Sequence, residues 1–184
     1  MTEKQMHQNW EVMASRRIYR ADPWIDLGVE TVRLPDGRVV EDFHQLVLPD
    51  FVLVFTETRE GKVIALNQYK HGPRRVSLSL PGGLVEKGED PALAARRELL
   101  EETGYEGPDW SHLGSYWANA NLGCGQGHFY LARGCRKVQE PKSGDLEDME
   151  ILLMERDDLK AAMTDGRIVL SNQVSAISLA LAAG

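Results

Sequence analysis

The amino-acid sequence predicts a mixed α+β fold, in which an N-terminal antiparallel β region precedes a sheet flanked by helices. Three observations lead there. Residues 17–48 alternate between apolar and polar side chains around the turn signal Pro35-Asp36-Gly37, as paired strands do. Residues 51–55 (Phe-Val-Leu-Val-Phe) form a short apolar run of the kind found in a buried strand. Residues 91–103 are rich in Ala, Leu, Glu and Arg and carry helix signals at both ends.

The elements follow in chain order. Residues 17–48 read as an N-terminal β hairpin or small sheet. The run at 51–55, the turn Arg59-Glu60-Gly61-Lys62 and the segment 63–69 read as a second hairpin, central to its sheet. After a loop at His71-Gly72-Pro73, a strand over 76–80 ends sharply at Pro81-Gly82-Gly83. Asp90-Pro91 starts a helix that Gly104 stops. Strands are expected over 113–118 and 128–132, with the glycine-rich loop 122–127 between them. An acidic loop over 140–150, a strand at 151–154 and a helix at 156–163 come next. Ser171 is expected to cap a final helix with Val174, Ile177 and Leu181 on one face.

Composition narrows the function classes. A chain of 184 residues, 42% hydrophobic and 27% charged, is long enough to bury a core without disulfides or structural metal. Its 28 acidic and 21 basic residues leave a formal charge of -7, which opposes a broad footprint for nucleic acid or anionic lipid. An anionic ligand therefore needs a local reversal of sign. No stretch approaches the ~20 consecutive apolar residues of a membrane span, and the polar start MTEKQMHQNW lacks a signal peptide's apolar segment. Cytoplasmic residence is the expectation. Cys124 and Cys135 stand apart from any metal or redox spacing and are assigned no role, and His128 is read as a strand residue satisfied by a neighbour.

The chemistry concentrates at GLVEKGEDPALAARRELLEETGY, residues 83–105. Glu98, Glu101 and Glu102 stand at i, i+3 and i+4, so their carboxylates share one helix face. Like-charge pairs so placed destabilise a bare helix by about 0.2–0.5 kcal/mol each. Two readings answer that cost. Arg96, Arg97 and nearby bases neutralise a solvated face, or the stripe gathers a hard divalent cation, Mg²⁺ first and Mn²⁺ second, since it offers oxygen and neither His nor Cys. Glu89 at the helix start, and Gly83 and Gly104 bracketing the unit, make it a loop, helix, loop module.

This module resembles the signature of the Nudix hydrolases: Gly, five residues, Glu, seven residues, Arg-Glu, an aliphatic, any residue, Glu-Glu, any residue, Gly, an aliphatic. Gly83, Glu89, Arg97, Glu98, Leu99, Glu101, Glu102 and Gly104 fill those places, with Tyr105 in the final aliphatic position. The resemblance implies an α/β/α sandwich around a mixed sheet and cleavage of a nucleoside diphosphate linked to another group. It implies metal ligation by Glu98 and Glu102, with Glu101 on the metal or its water and the Gly82 carbonyl completing the shell. Arg97 and Glu89 become organisers. A bound cation also supplies the missing reversal of sign.

Beyond the box, residues 68–70 and 80–83 resemble the ADP-ribose pyrophosphatase branch and its nucleotide-sugar relatives. That likeness implies a β-strand region over residues 1–48 that serves a homodimer, and a hydrolase domain over 49–184. Lys70 stands where relatives often carry Arg, Ser79 where many carry Glu, and Asn119-Ala120-Asn121 where a proline is common. ADP-ribose leads the substrates, with GDP-mannose, NADH and diadenosine polyphosphates as alternatives, and a sensing module without turnover as the non-enzymatic one. The resemblance points to Glu147, with Asp145 second, as general base. It points to Trp24 for base stacking, against a packing role. Lys70, Arg74 and Arg75 are the candidates for phosphate or ribose, against ordinary surface charge.

Overall fold

The structure is a computed structural model that describes residues 9–144 and 149–184. They fall into two compact units. One holds the chain up to Pro49 together with Trp117–Gly125, and the other holds Asp50–Tyr116 and Gln126–Gly184.

The first unit is a three-stranded antiparallel sheet, ordered β1 (Glu11–Ala21), β2 (Ile25–Arg33) and β3 (Val39–Val47). The turn expected at Pro35-Asp36-Gly37 connects β2 to β3, with Gly37 at φ 88° and its N–H donating to the Leu34 carbonyl. The region is the small sheet of the two expected forms, and its first strand starts earlier than expected, with pairing from Glu11 rather than from residue 17. Val32 is the buried hydrophobic side chain of these strands, whereas Val12, Met13, Ile18 and Tyr19 of β1 are exposed.

The second unit is built on a seven-stranded mixed sheet. Its main order is β10 (Met149–Met154), β5 (Val63–Lys70), β4 (Phe51–Thr58), β9 (Gln126–Lys137) and β7 (Tyr105–Glu106). In addition, β6 (Arg75–Ser79) pairs with β5, and β8 (Asp109–Trp117) pairs with β9. β4 and β9 run parallel while the other registered pairs are antiparallel. The apolar run at 51–55 is central, as expected.

Alternation along β4 and β9 makes the two layers. Val52, Val54, Tyr130 and Ala132 face Ala94, Ala95 and Leu99 of helix α1 (Pro91–Thr103). Leu53, Phe55, Phe129 and Leu131 face the opposite layer, where α2 (Arg156–Ala162) contributes Leu159 and α3 (Ser171–Ala182) contributes Ala176, Ile177 and Ala180. The result is the expected sandwich. One detail of α3 differs from expectation: Leu170 is its N-cap and makes no side-chain cap bond, so Ser171 is already helical. Val174, Ile177 and Leu181 pack against one core as expected, with Gln173, Ala176 and Ala180 buried beside them. Gln173 is pulled inward because its Oε1 accepts the Leu80 N–H at 2.8 Å. Both cysteines are buried, and burial beside Glu57 pushes the Cys135 thiol up to about 12, an inert group. No helix among the described residues is long and apolar enough to cross a membrane.

Candidate active site

Helix α1 starts and stops where its local chemistry demands. The Asp90 carboxylate accepts the Ala92 N–H at 2.7 Å, Pro91 occupies the first turn, and Gly104 closes the helix at φ 74° with its N–H on the Leu100 carbonyl at 2.9 Å. Burying Ala95 and Leu99 against β4 and β9 draws Glu98 and Glu102, on the flank of that stripe, toward the strap at 81–83. Glu102 becomes a buried carboxylate, only 5% exposed.

The strap is held to β4 by two backbone bonds, Val54 N–H to the Pro81 carbonyl at 2.8 Å and Val52 N–H to the Gly83 carbonyl at 2.9 Å. The intervening Gly82 carbonyl lies outside that ladder, and the Gly82 N–H donates to Glu102 Oε2 at 2.7 Å. Gly82 sits at φ 154°, and a Cβ there would run into the Val52 carbonyl. A Cβ on Gly83 would stand 2.5 Å from a Glu98 carboxylate oxygen. Two glycines thus let bare backbone reach two acidic side chains.

Arg97 gathers the negative charge. It grips Glu89 with two parallel bonds of 2.9 Å, donates to Glu98 Oε1 at 2.7 Å and Glu101 Oε2 at 3.2 Å, and reaches the Leu84 carbonyl at 3.1 Å. Such a fork suits bidentate carboxylate binding as lysine cannot. Its bonds, led by that to Glu89, raise the guanidinium's affinity for its proton, and the same contact holds the Glu89 carboxyl below its ordinary value. Arg96, expected to share in this neutralisation, lies over the Trp110 ring at 4.5 Å instead.

A group whose folded value is depressed stabilises above its unfolded value and loses that contribution as pH falls through the folded one. Glu89→Gln should therefore cost about 1.5 kcal/mol at pH 7, and thermal melts should show the gap from wild type closing below the ordinary carboxylate range. A gap independent of pH would count against the clamp.

Oxygen-only donors beside side-chain-free backbone fit a hard divalent cation. As the side chains stand, Arg97 rather than convergence of the acids organises the cluster, and among the described residues no three His, Cys, Asp or Glu side chains are grouped as a metal-binding set. The structure brings Gly82, Glu98, Glu101 and Glu102 to one helix face and its strap. The other candidates stand on other elements. Lys70 and Arg75 oppose each other across the β5–β6 ladder, and Arg74 turns between those strands at φ 54°. The Arg75 guanidinium donates to the Gly166 carbonyl at 3.1 Å and, with Arg167, lines a groove of about 770 Å³. Trp24, 64% exposed, lies between β1 and β2 in the first unit. Glu147 and Asp145 lie outside the described residues.

Sequence reasoning overlooked one cluster in the second unit. His128, expected to be satisfied by a neighbour, is satisfied at one nitrogen only: Nδ1 is 2.7 Å from Ser115 Oγ, while Nε2 is buried without a hydrogen-bond partner. Residues 50, 115 and 128 carry no motif spacing, and only strand pairing unites them.

Comparison with known proteins agrees with this geometry. The NUDIX domain family matches residues 48–171, and the nucleoside diphosphate sugar hydrolase N-terminal domain matches residues 10–46. The chain is 34% identical over 132 residues to an ADP-ribose pyrophosphatase of Bacillus subtilis, covering 71% of this chain and 70% of that one. It is 30% identical over 155 residues to a methanol dehydrogenase activator of Bacillus methanolicus, covering 83% of each. A crystal structure of an ADP compounds hydrolase superposes with a TM-score of 0.80 over 95% of this chain and 94% of that one, at 18% identity, a likeness of fold. With the box carboxylates on α1, the glycine strap beside them and a family match over most of its length, the chain belongs to the Nudix family and is a Nudix pyrophosphohydrolase.

Proposed function

We propose that the protein hydrolyses the pyrophosphate bond of a nucleoside diphosphate sugar, ADP-ribose to AMP and ribose 5-phosphate, with Mg²⁺ as the metal and Mn²⁺ able to replace it. The observation that carries this reading is the approach of Glu98 and buried Glu102 to the side-chain-free strap at Gly82 and Gly83. A resemblance to an ADP-ribose pyrophosphatase and a matching sugar-hydrolase N-terminal region support the substrate class.

In this reading Glu98, Glu101, Glu102 and the Gly82 carbonyl hold the cation, which when bound screens the pyrophosphate charge and acidifies a water. Arg97, anchored on Glu89, sets the directions of Glu98 and Glu101. Glu147 serves as general base, accepting the proton of the attacking water. Lys70, Arg74 and Arg75 hold phosphate or ribose, and Trp24 stacks on the base. Residues 1–48 serve as the dimerising region and 49–184 as the hydrolase domain. The exposed Val12, Ile18 and Tyr19 of β1 support that homodimer, since a three-stranded sheet with one buried hydrophobic side chain gains by being covered. Light scattering should give twice the chain mass, and a monomer at micromolar concentration would refute the dimer. A cytoplasmic location goes with this reading.

Phosphatase-coupled phosphate release decides among substrates. ADP-ribose, GDP-mannose, NADH and a diadenosine polyphosphate are compared with Mg²⁺, Mn²⁺ or chelator present. ADP-ribose with Mg²⁺ is expected to turn over fastest. Faster turnover of GDP-mannose or a dinucleotide reassigns the substrate, and release undiminished by chelator removes the metal.

A further inference from the structure

Among the described residues, His128 Nε2 is the buried side-chain polar atom without a hydrogen-bond partner. It faces Asp50 Oδ2 at 3.6 Å, beyond hydrogen-bond range but well within reach of a charge. Asp50 is not an idle surface acid. Its carbonyl accepts the Val85 N–H at 2.9 Å, two residues beyond Gly83, and its Oδ1 accepts the Gln126 N–H at 2.7 Å, at the start of β9. One residue thus ties the loop leaving the strap to the strand that carries His128.

The protons follow from the partners. Ser115 Oγ stands 2.7 Å from His128 Nδ1 and 3.1 Å from His112 Nε2, so its single proton serves one imidazole while it accepts from the other. In neutral His128, Ser115 donates to Nδ1, leaving the ring proton on Nε2 toward Asp50. In the imidazolium, Nδ1–H donates to Ser115, which turns its proton to His112, and Nε2–H still meets Asp50. The opposite neutral tautomer would set a buried lone pair against a carboxylate. Ser115 thus links both imidazoles in either state, and what protonation adds is a positive charge 3.6 Å from the Asp50 carboxylate.

We propose that Asp50 and His128 are a positioning pair for the Nudix box, which tightens the loop at 83–85 when His128 becomes charged. Among the described residues, the titratable groups linked to His128 are Asp50 before β4 and, through Ser115, His112 on β8, whose ring lies 5.1 Å from that of Tyr130 on β9. Asp50 favours the imidazolium, and burial opposes it.

Imidazole NMR titration of the whole chain is the test, with amide exchange at Val85 and Gln126 read alongside. The His128 midpoint should fall by about one unit in Asp50→Asn, a tenfold loss of proton affinity. This substitution keeps the acceptor for Gln126 and removes only charge. Protection of both amides, corrected for intrinsic rates, should rise about tenfold as wild-type His128 is protonated and stay flat in Asp50→Asn and His128→Gln. An unchanged midpoint in Asp50→Asn, or protection that ignores the titration, overturns the proposal. These measurements need neither substrate nor metal, so they stand apart from failure of the hydrolysis assignment. The functional consequence does rest on that assignment: the pH profile should carry a limb at the His128 midpoint, in kcat rather than KM, that Asp50→Asn lacks.

Discussion

Glu102→Gln should lower kcat by about two to three orders of magnitude while the melting temperature moves by only a few degrees. The asymmetry follows from what the side chain touches. Glu102 Oε2 accepts the Gly82 N–H at 2.7 Å, and a glutamine carbonyl can accept the same bond in the same volume. The packing of a 5%-exposed side chain is preserved, and only the negative charge is lost. A charge that holds a cation against a developing phosphate is worth several kcal/mol in the transition state, and each ~1.4 kcal/mol is a factor of ten. Steady-state kinetics at saturating Mg²⁺, paired with thermal melts, read both quantities. Wild-type kcat would remove Glu102 from the metal set, and a collapsed melt would make it a structural acid.

Adjacent glycines should fail in opposite ways. Gly82→Ala demands a φ of 154° from a residue with a Cβ and drives that Cβ into the Val52 carbonyl, which β4 holds in place. A loss of about 3 kcal/mol is expected, with activity falling because the fold falls. Gly83→Ala meets the end of the Glu98 side chain instead, 2.5 Å away, and that carboxylate can swing aside. Stability should then change by less than about 1 kcal/mol, while kcat drops about a hundredfold through the displaced Glu98 carboxylate, if the proposed role of Glu98 holds. Denaturant midpoints and kcat measured on both variants separate the cases. Equal stability losses would show that the strap, not the carboxylate, resists the added atom.

Residues close in sequence disclosed most of the box. Asp90, Pro91 and Gly104 bound α1 as their local preferences require, and three glutamates at helical spacing had to share a face. The strands at 51–58 and 63–70 were legible because their buried runs are nearly continuous, whereas β1 was truncated in the reading, its exposed side chains giving no burial signal before residue 17. Ser171 misled because a serine beside a helix start resembles a cap, and the chain turned helical one residue earlier.

By itself the sequence determined the family, the helix and the identity of its carboxylates, since these depend on spacing within a few turns of chain. Tertiary structure decided who answers whom: Arg97 takes Glu89, Glu98 and Glu101, Arg96 goes to Trp110, and Asp50 meets His128 across 78 positions. The reason is physical. Hydrogen bonds and ion pairs act over a few ångströms of space, and only the folding of β4 beside β9 and of the strap beneath α1 sets which residues those ångströms join.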